Sequence, residues 1–592
     1  MPRVSRPFAA LLLSAAIITS MVMPATTLAA TKQPTATGTG GAIATVDLEA
    51  SEAGMEILRA GGNAVDAAIA AAAVLGVTEP FSCGIGGGGF MTIYRANNGS
   101  VTTIDHRETA PEAMHPQSFF EGGAPLAFND ARFSGLSAGV PGTVRGWSRA
   151  LSRYGTMSLG EALQPAIRVA RQGFAIDQTF FDQTQGNVDF FDDIPSTAAL
   201  YLDEDGTPRD VGTTFTNPDL ADTYARIGRL GDKGFYRGAI ADAMVETVRH
   251  PPVAPDANHV WRPGVMATSD VASYLAPERK PTRVGYRGVD VYSMGPPSSG
   301  GSTVGEALNI LEGFRMSRLK REEALHDYLE ASRYSFADRN AYLADPDFFD
   351  VPLEGLLSDS FAAERRDLIT KQAATSPVAP GDPYPHQGDT APSAARASTT
   401  DNRVGTTTHL TVTDRLGNVV SYTFTIESTG GNGIVVPGWG FLLNNELTDF
   451  NFDSTTHPNR VEGGKRPRSS MSPTIVLSKG KPLVALGSPG GSTIITTVLQ
   501  ILVNRLDFGM NLPEAIAAPR LAQRNTTTTQ AEPAFLNTPE AAALRERGHQ
   551  FVEVSEIGAA TGIAFLSGGV VQAAAEPSRR GGGSALVESS AP

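Results

Sequence analysis

The sequence predicts an α+β sandwich in which helical layers cover antiparallel strands, and three observations carry that reading. From about Gly135 to Ile369 the chain is rich in helical stretches separated by turn signals. One of these stretches, Ala64 to Leu75, is apolar on nearly every face, and a helix without a polar side needs a buried place such as the face of a sheet. Beyond residue 404 the texture changes to short alternating runs paired around turns, which read as hairpins. Helices in one region and hairpins in another are the pattern of α+β layers.

Taken in order, the pattern from Ser51 is a helix, a Gly61-Gly62 stop, and a second helix that Asn63 can cap, with Asp66 well placed in its first turn. The run Gly84 to Met91 follows, leading into the strand-like Thr92-Ile93-Tyr94. A nucleotide loop is a poor reading of this run. No Lys-Ser/Thr follows it, and the order is helix, glycines, strand, so the run is read as backbone lining something. Helices are expected over Leu159 to Gln172, Ala239 to Val248 and Gly301 to Phe314. From 372 to 404 the composition shifts to Ala, Pro, Ser, Thr, Gly and Asp, which predicts a linker or mobile tail. The hairpins then expected are His409–Thr413 with Val419–Thr425, Thr474–Leu477 with Leu483–Leu486, and Gly562–Leu566 with Val570–Ala574. A helix from Ser492 to about Leu506 lies between the second and third.

At 592 residues the chain exceeds one ordinary domain, although a single large layered body can hold most of it. A formal charge of −14 argues against nucleic acid or an anionic membrane as the main partner and leaves small molecules. Residues 1–30 have the parts of a signal peptide: Arg3 and Arg6, an apolar run from Phe8 to Met23, and Ala-rich residues around a cleavage point near Ala29 or Ala30. The expected location is therefore secreted or associated with the cell envelope, without a membrane span after signal cleavage, since no later stretch approaches ~20 uninterrupted apolar residues. The single cysteine, Cys83, cannot form an internal disulfide and rules out a cysteine-rich metal site. No metal or cofactor is expected.

Several residues can carry chemistry. Thr406-Thr407-Thr408-His409 opens the strand-rich region at the end of the polar stretch. Three threonines before a strand can be simple β-propensity. A threonine that becomes a chain terminus, however, gains its own α-amino group as a base for its hydroxyl. Gly490-Gly491 precedes a helix, where backbone amides and the helix dipole can hold an oxyanion. Arg107 offers a bidentate carboxylate clamp, Ser469 and Ser470 offer hydroxyls, and Glu446 and Asp449 could hold an ammonium. Each has an ordinary alternative: a turn, a surface salt bridge, a helix cap, a solvated acidic loop.

The order and wording of these pieces resemble the gamma-glutamyltransferase (gamma-glutamyltranspeptidase) family of the N-terminal-nucleophile hydrolase superfamily. The resemblance runs from Asp47 almost to the C-terminus. Its carriers are Gly61 to Ala68, Gly84 to Met91, Arg107-Glu108-Thr109-Ala110-Pro111, Pro296 to Gly301, Thr407-Thr408-His409, Leu442 to Phe450, Pro467 to Met471 and Gly487 to Gly491. It implies a four-layer αββα sandwich made by a precursor that cuts itself between Thr406 and Thr407. The products would be a large subunit, residues 31–406, and a small subunit, residues 407–592, which pair as a heterodimer. It further implies Thr407 as nucleophile with its freed amine as base, Thr425 as the residue orienting it, and Gly490 and Gly491 as the oxyanion hole. Arg107, Ser469 and Ser470 would bind the substrate α-carboxylate, and Glu427, Glu446 and Asp449 the α-amino group. The implied activity is transfer of γ-glutamyl groups from glutathione and related compounds to water or to amino acid or peptide acceptors. His409 reads as a strand residue.

Some wording departs from the family. The stretch between Asp449 and Ser469 is shorter than in members with a lid loop, which predicts an open donor pocket that bulky donors such as poly-γ-glutamate fragments can enter. Asp47-Leu48-Glu49, Asn432 and Arg468 replace common family residues and bear on the acceptor side. The competing readings are a cephalosporin or glutaryl acylase of the same fold, and a binding protein that no longer processes.

Overall fold

The computed structural model describes residues 1–2, 31–390 and 405–590. Residues 3–30 of the expected signal and 391–404 of the expected linker lie outside the described residues. The main body begins at Lys32.

Thirteen strands among the described residues form one continuous sheet. In chain order they are β1 (Thr35–Thr45), β2 (Gly88–Arg95), β3 (Ser100–Asp105), β4 (Glu278–Arg279), β5 (Thr282–Tyr286), β6 (Val289–Ser293), β7 (Thr408–Thr413), β8 (Val419–Thr425), β9 (Thr474–Ser478), β10 (Lys481–Gly487), β11 (Thr561–Phe565), β12 (Val570–Ala575) and β13 (Ser584–Ser590). Their order across the sheet is β4-β3-β2-β8-β7-β1-β12-β11-β10-β9-β6-β5, with β13 also paired to β1. Every pair in it is antiparallel.

The ladder folds back on itself. The Thr92 hydroxyl of β2 donates to the carbonyl of Pro473 beside β9 at 2.8 Å, and the Ser421 hydroxyl of β8 donates to Leu486 of β10 at 3.0 Å. Tyr94 and Val419 from one limb pack against Ile475, Leu477 and Ala485 from the other. Two strand layers therefore lie face to face, and helices cover their outer sides.

On one side α1 (Leu48–Arg59) and α2 (Ala64–Thr78) pack on β1, β7 and β8, backed by α3 (Gln164–Gln172) and α4 (Pro218–Leu230). All fifteen residues of α2 are buried, as its all-round apolar pattern requires. Its start is set by the sequence. Asn63 accepts from the Val65 and Asp66 amides, and the Asp66 carboxylate accepts from the Asn63 amide, a reciprocal cap. On the other side α5 (Gly300–Glu312), α6 (Arg321–Tyr342) and α7 (Thr493–Leu506) form the second helical layer, with α5 on β5 and β6 and α7 on β10. The three hairpins stand as expected, β7–β8, β9–β10 and β11–β12.

Two features depart from the sequence reading. The strand β1 runs through the centre of the sheet, although Thr-Ala-Thr-Gly-Thr-Gly-Gly-Ala-Ile-Ala-Thr lacks the large β-branched and aromatic pattern of a core strand. Small side chains suit a strand crowded by three neighbours, β7, β12 and β13. Residues 372–390, the described part of the stretch expected to be a linker or mobile tail, are anchored. The Ala373 amide donates to the Arg547 carbonyl at 2.7 Å, Val378 to the Asn525 side chain at 2.7 Å, and Gly381 to Asp338 at 2.6 Å, while Tyr384 is buried among Leu343, Leu356 and Phe361. Low apolar content hid this, because backbone hydrogen bonds and one aromatic side chain do the anchoring.

Candidate catalytic site

Thr407 stands one residue before β7, in a cleft shared with Arg107, Thr425, Glu427, Glu446, Asp449 and Ser470. The hairpin register places its neighbour. Thr408 pairs with Phe424, so Thr425, the last residue of β8, comes opposite Thr407. The Thr407 hydroxyl donates to the Thr425 hydroxyl at 3.3 Å, and the Thr425 hydroxyl donates to the carbonyl of Thr406 at 2.6 Å. The Thr406 amide donates to the Glu427 carbonyl at 2.7 Å, so residue Thr406 is held at both its amide and its carbonyl.

The glycine run forms the back wall of β8. A Cβ on Gly87 would lie 1.9 Å from the Thr425 carbonyl oxygen, and one on Gly86 would lie 1.9 Å from that of Leu442. Only glycine allows the backbones this close. Gly490 (φ 130) and Gly491 (φ 55) turn the chain from β10 into α7. Gly491 lines the cleft with Thr407, and Gly490 borders a neighbouring cavity with Gly405 and Thr406. Each glycine thus borders a cavity beside the Thr406–Thr407 segment, just ahead of the positive end of α7.

Opposite charges meet directly in the cleft. The Arg107 guanidinium is buried and paired with Glu446, and with Asp449 at 2.5 Å; its other N–H groups donate to the carbonyls of Pro467 (3.2 Å) and Arg468 (3.0 Å). Glu446 and Asp449 sit on one short turn, Glu446–Asp449, and Asn444 accepts from the Glu446 amide at 3.0 Å. Glu427, held at φ 80, accepts from Ser428 and from the Asn445 side chain. Burial, together with the nearby Asp449 charge, raises its carboxyl to about 7. Arg107 thus forms two ion pairs in the cleft, while the second carboxylate oxygen of Glu446, Oε2, is buried without a hydrogen-bond partner among the described residues.

All the residues expected to form the site line this cleft apart from Gly490, which borders the adjoining cavity, and Thr406, which borders that cavity and not the cleft. Sequence reasoning missed Arg339. It lies inside α6, which is buried on most faces, and donates to the Ser470 hydroxyl at 2.7 Å and the Ser299 hydroxyl at 2.8 Å. The signal was available: a charged residue within a long helix that lacks a clean polar side needs a partner. Arg468, noted only as a departure, also lines the cleft. His409 is a strand residue, as expected. It is buried against Thr423 (2.7 Å) and Thr411 (3.1 Å), and burial holds its imidazole near 3 and therefore neutral. Cys83 is buried with its thiol raised by desolvation, the state of a packing residue.

The chain is similar to known proteins along most of its length. A glutathione hydrolase proenzyme of Bacillus subtilis is 39% identical over 82% of this chain and 81% of its own. An acylase, the ACY 1 proenzyme of a Pseudomonas species, is 35% identical over 92% of this chain and 93% of its own. The crystal structure of a cephalosporin acylase from Bacillus halodurans superposes with a TM-score of 0.81 at 28% identity, covering 96% of this chain and 99% of that one. The fold is thus the four-layer αββα sandwich of the N-terminal-nucleophile hydrolases. The family model for gamma-glutamyltranspeptidase matches residues 50–586, which takes in both walls of the cleft, and on that match the chain belongs to the gamma-glutamyltranspeptidase family.

Proposed function

We propose that this chain is an exported precursor that cuts itself between Thr406 and Thr407 and then acts as a γ-glutamyltransferase and glutathione hydrolase. One observation carries the reading. The Thr425 hydroxyl bonds the carbonyl of Thr406 while sitting beside the Thr407 hydroxyl, so the attacking group and the polarised carbonyl share one orienting residue. Processing begins when the Thr407 hydroxyl attacks that carbonyl. The peptide C–N bond breaks, the acyl group passes from nitrogen to oxygen, and water hydrolyses the ester. Thr406 is left as a carboxyl terminus and Thr407 as an amino terminus. The large subunit is then residues 31–406 and the small subunit residues 407–592.

The freed amine takes the hydroxyl proton as Thr407 attacks the γ-carbonyl of the donor. Gly490 and Gly491 stabilise the oxyanion, a term worth about 2.7–4 kcal/mol per donor in comparable sites. The proton returns to the leaving amine, and the γ-glutamyl ester on Thr407 is passed to water or to an amino acid or peptide acceptor. The donor carboxylate meets Arg107, Ser469 and Ser470, and its ammonium meets Glu427, Glu446 and Asp449. Selectivity follows from the cost of leaving those buried groups unpaired.

An acylase reading has its own support, since the likeness to the Pseudomonas acylase spans more of the chain than that to the Bacillus subtilis hydrolase. Three carboxylates converging in the donor cleft favour an acyl chain that bears an ammonium. Rates with γ-glutamyl and glutaryl p-nitroanilides decide between the two. Faster turnover of the γ-glutamyl compound is expected, and faster turnover of the glutaryl compound would overturn the reading.

A further inference from the structure

Arg580 lies far from Thr407 in sequence and on the side away from the donor cleft, yet its guanidinium reaches the candidate nucleophile. It donates to the Thr407 carbonyl at 2.7 Å, to the Glu79 carboxylate at 3.0 Å and to the Ser82 hydroxyl at 2.7 Å. The group is mostly buried, as is Glu79. Its backbone sits in the left-handed region at φ 52, which a non-glycine residue adopts at a cost, while its amide donates to Glu556 at 3.1 Å. The turn it grips, after the end of α2, also receives the segment being cut. The Phe81 carbonyl accepts from the Thr406 hydroxyl at 3.3 Å, and the Ser82 carbonyl accepts from the Ile426 amide, next to Thr425, at 3.2 Å.

Resting on the reading of Thr407 as nucleophile, we propose that Arg580 is a positioning residue for both self-cleavage and acyl transfer, tying the Thr407 carbonyl to the Glu79–Ser82 turn. Cleavage makes this tie matter more. The two bonds that hold Thr406, from its amide to Glu427 and from Thr425 to its carbonyl, are made by the residue on the far side of the cut and no longer restrain Thr407 once it is a terminus. Thr407 then stands at a chain terminus, where fraying concentrates. Its carbonyl keeps the charge-assisted bond to Arg580, and its hydroxyl keeps Thr425. The clamp also crosses the two products, since Arg580 belongs to the later segment and Glu79 and Ser82 to the earlier one.

The test follows the full-length chain and its Arg580→Gln, Arg580→Lys, Glu79→Gln and Thr407→Ala variants. Precursor loss is timed on denaturing gels after cell-free synthesis. On the processed enzyme, kcat and KM are measured with γ-glutamyl p-nitroanilide. Arg580→Gln is expected to slow processing and lower kcat by about 10- to 100-fold, the value of a charged hydrogen bond, with KM unchanged because the donor cleft lies elsewhere. Arg580→Lys, which keeps a cationic donor, should recover part of both rates, and Glu79→Gln should lose less than Arg580→Gln. Should Arg580→Gln fail to fold, the Lys and Glu79→Gln variants carry the same comparison. Wild-type processing and kcat in Arg580→Gln, or a Lys variant no better than Gln with KM raised, would overturn the inference. The Thr407→Ala control separates the two claims. A Thr407→Ala chain that is cut refutes the nucleophile itself, whereas an uncut Thr407→Ala beside an unaffected Arg580→Gln refutes only the clamp.

Discussion

The hydroxyl of Thr425 donates to the carbonyl of Thr406 at 2.6 Å, so the bond proposed to be cut is polarised by the strand opposite it. That hydroxyl is the last side chain of β8 and owes its place to hairpin register. Thr425→Ala should leave the sheet intact and slow self-cleavage by about 100-fold, the cost of losing one well-placed donor. Thr425→Ser, which keeps the hydroxyl, should process at close to the native rate. Timed gels on freshly made precursor check both.

Thr407→Ala should give a folded chain that stays whole and inactive. Thr407→Ser should still process, because it keeps a hydroxyl at the same position. A single band for the first and two bands for the second, on the same gel, are the expected result.

Asp449 shares the Arg107 guanidinium with Glu446 and is the more exposed of the two acids. Asp449→Asn should therefore raise KM for γ-glutamyl p-nitroanilide by about 10- to 100-fold, the range for a hydrogen bond to a charged group, and change kcat less. Arg107→Lys should also raise KM, since an ammonium cannot reproduce the fork that meets a carboxylate. Steady-state kinetics on the processed enzyme measure both.

Glu427 carries a pH prediction whose sign is set by its raised carboxyl. Burial, aided by the Asp449 charge, holds it at about 7, so below that pH it keeps a proton and would lose the proposed pair with a donor ammonium. KM should fall as the pH rises from about 5 to about 7 and then level off. Glu427→Gln should flatten this dependence and raise KM at neutral pH. KM profiles of the two proteins provide the comparison.

Glu108 should affect stability and pH together. Its carboxyl is buried, neither oxygen has a hydrogen-bond partner among the described residues, and burial raises it to about 8. Between about 4.5 and about 8 the folded chain holds a proton that the unfolded chain has released, so stability from this group falls as pH rises through that window. Glu108→Gln should melt higher than the native protein by a margin that grows toward pH 8. Thermal unfolding of the Thr407→Ala background at several pH values removes processing from the comparison.

The sequence by itself determined the local pieces. Asn63 and Asp66 cap α2 with their own side chains, the hairpins are set by alternating residues around short turns, and the all-apolar α2 could only be buried. The candidate site residues stood out as motifs because most sit in short strings of distinctive wording. Tertiary structure alone decided what those strings do to one another. It put β1 at the centre of the sheet, where crowding selects small residues that carry little strand signal. Hydrogen bonds to distant partners anchored residues 372–390. Folding also brought Arg339 to Ser470 and Arg580 to Thr407, contacts between residues more than a hundred positions apart. Patterns along a chain record periodicity and turn chemistry, whereas a buried guanidinium finds its acceptor across the core, where the cost of leaving it unpaired is paid only once the layers have closed.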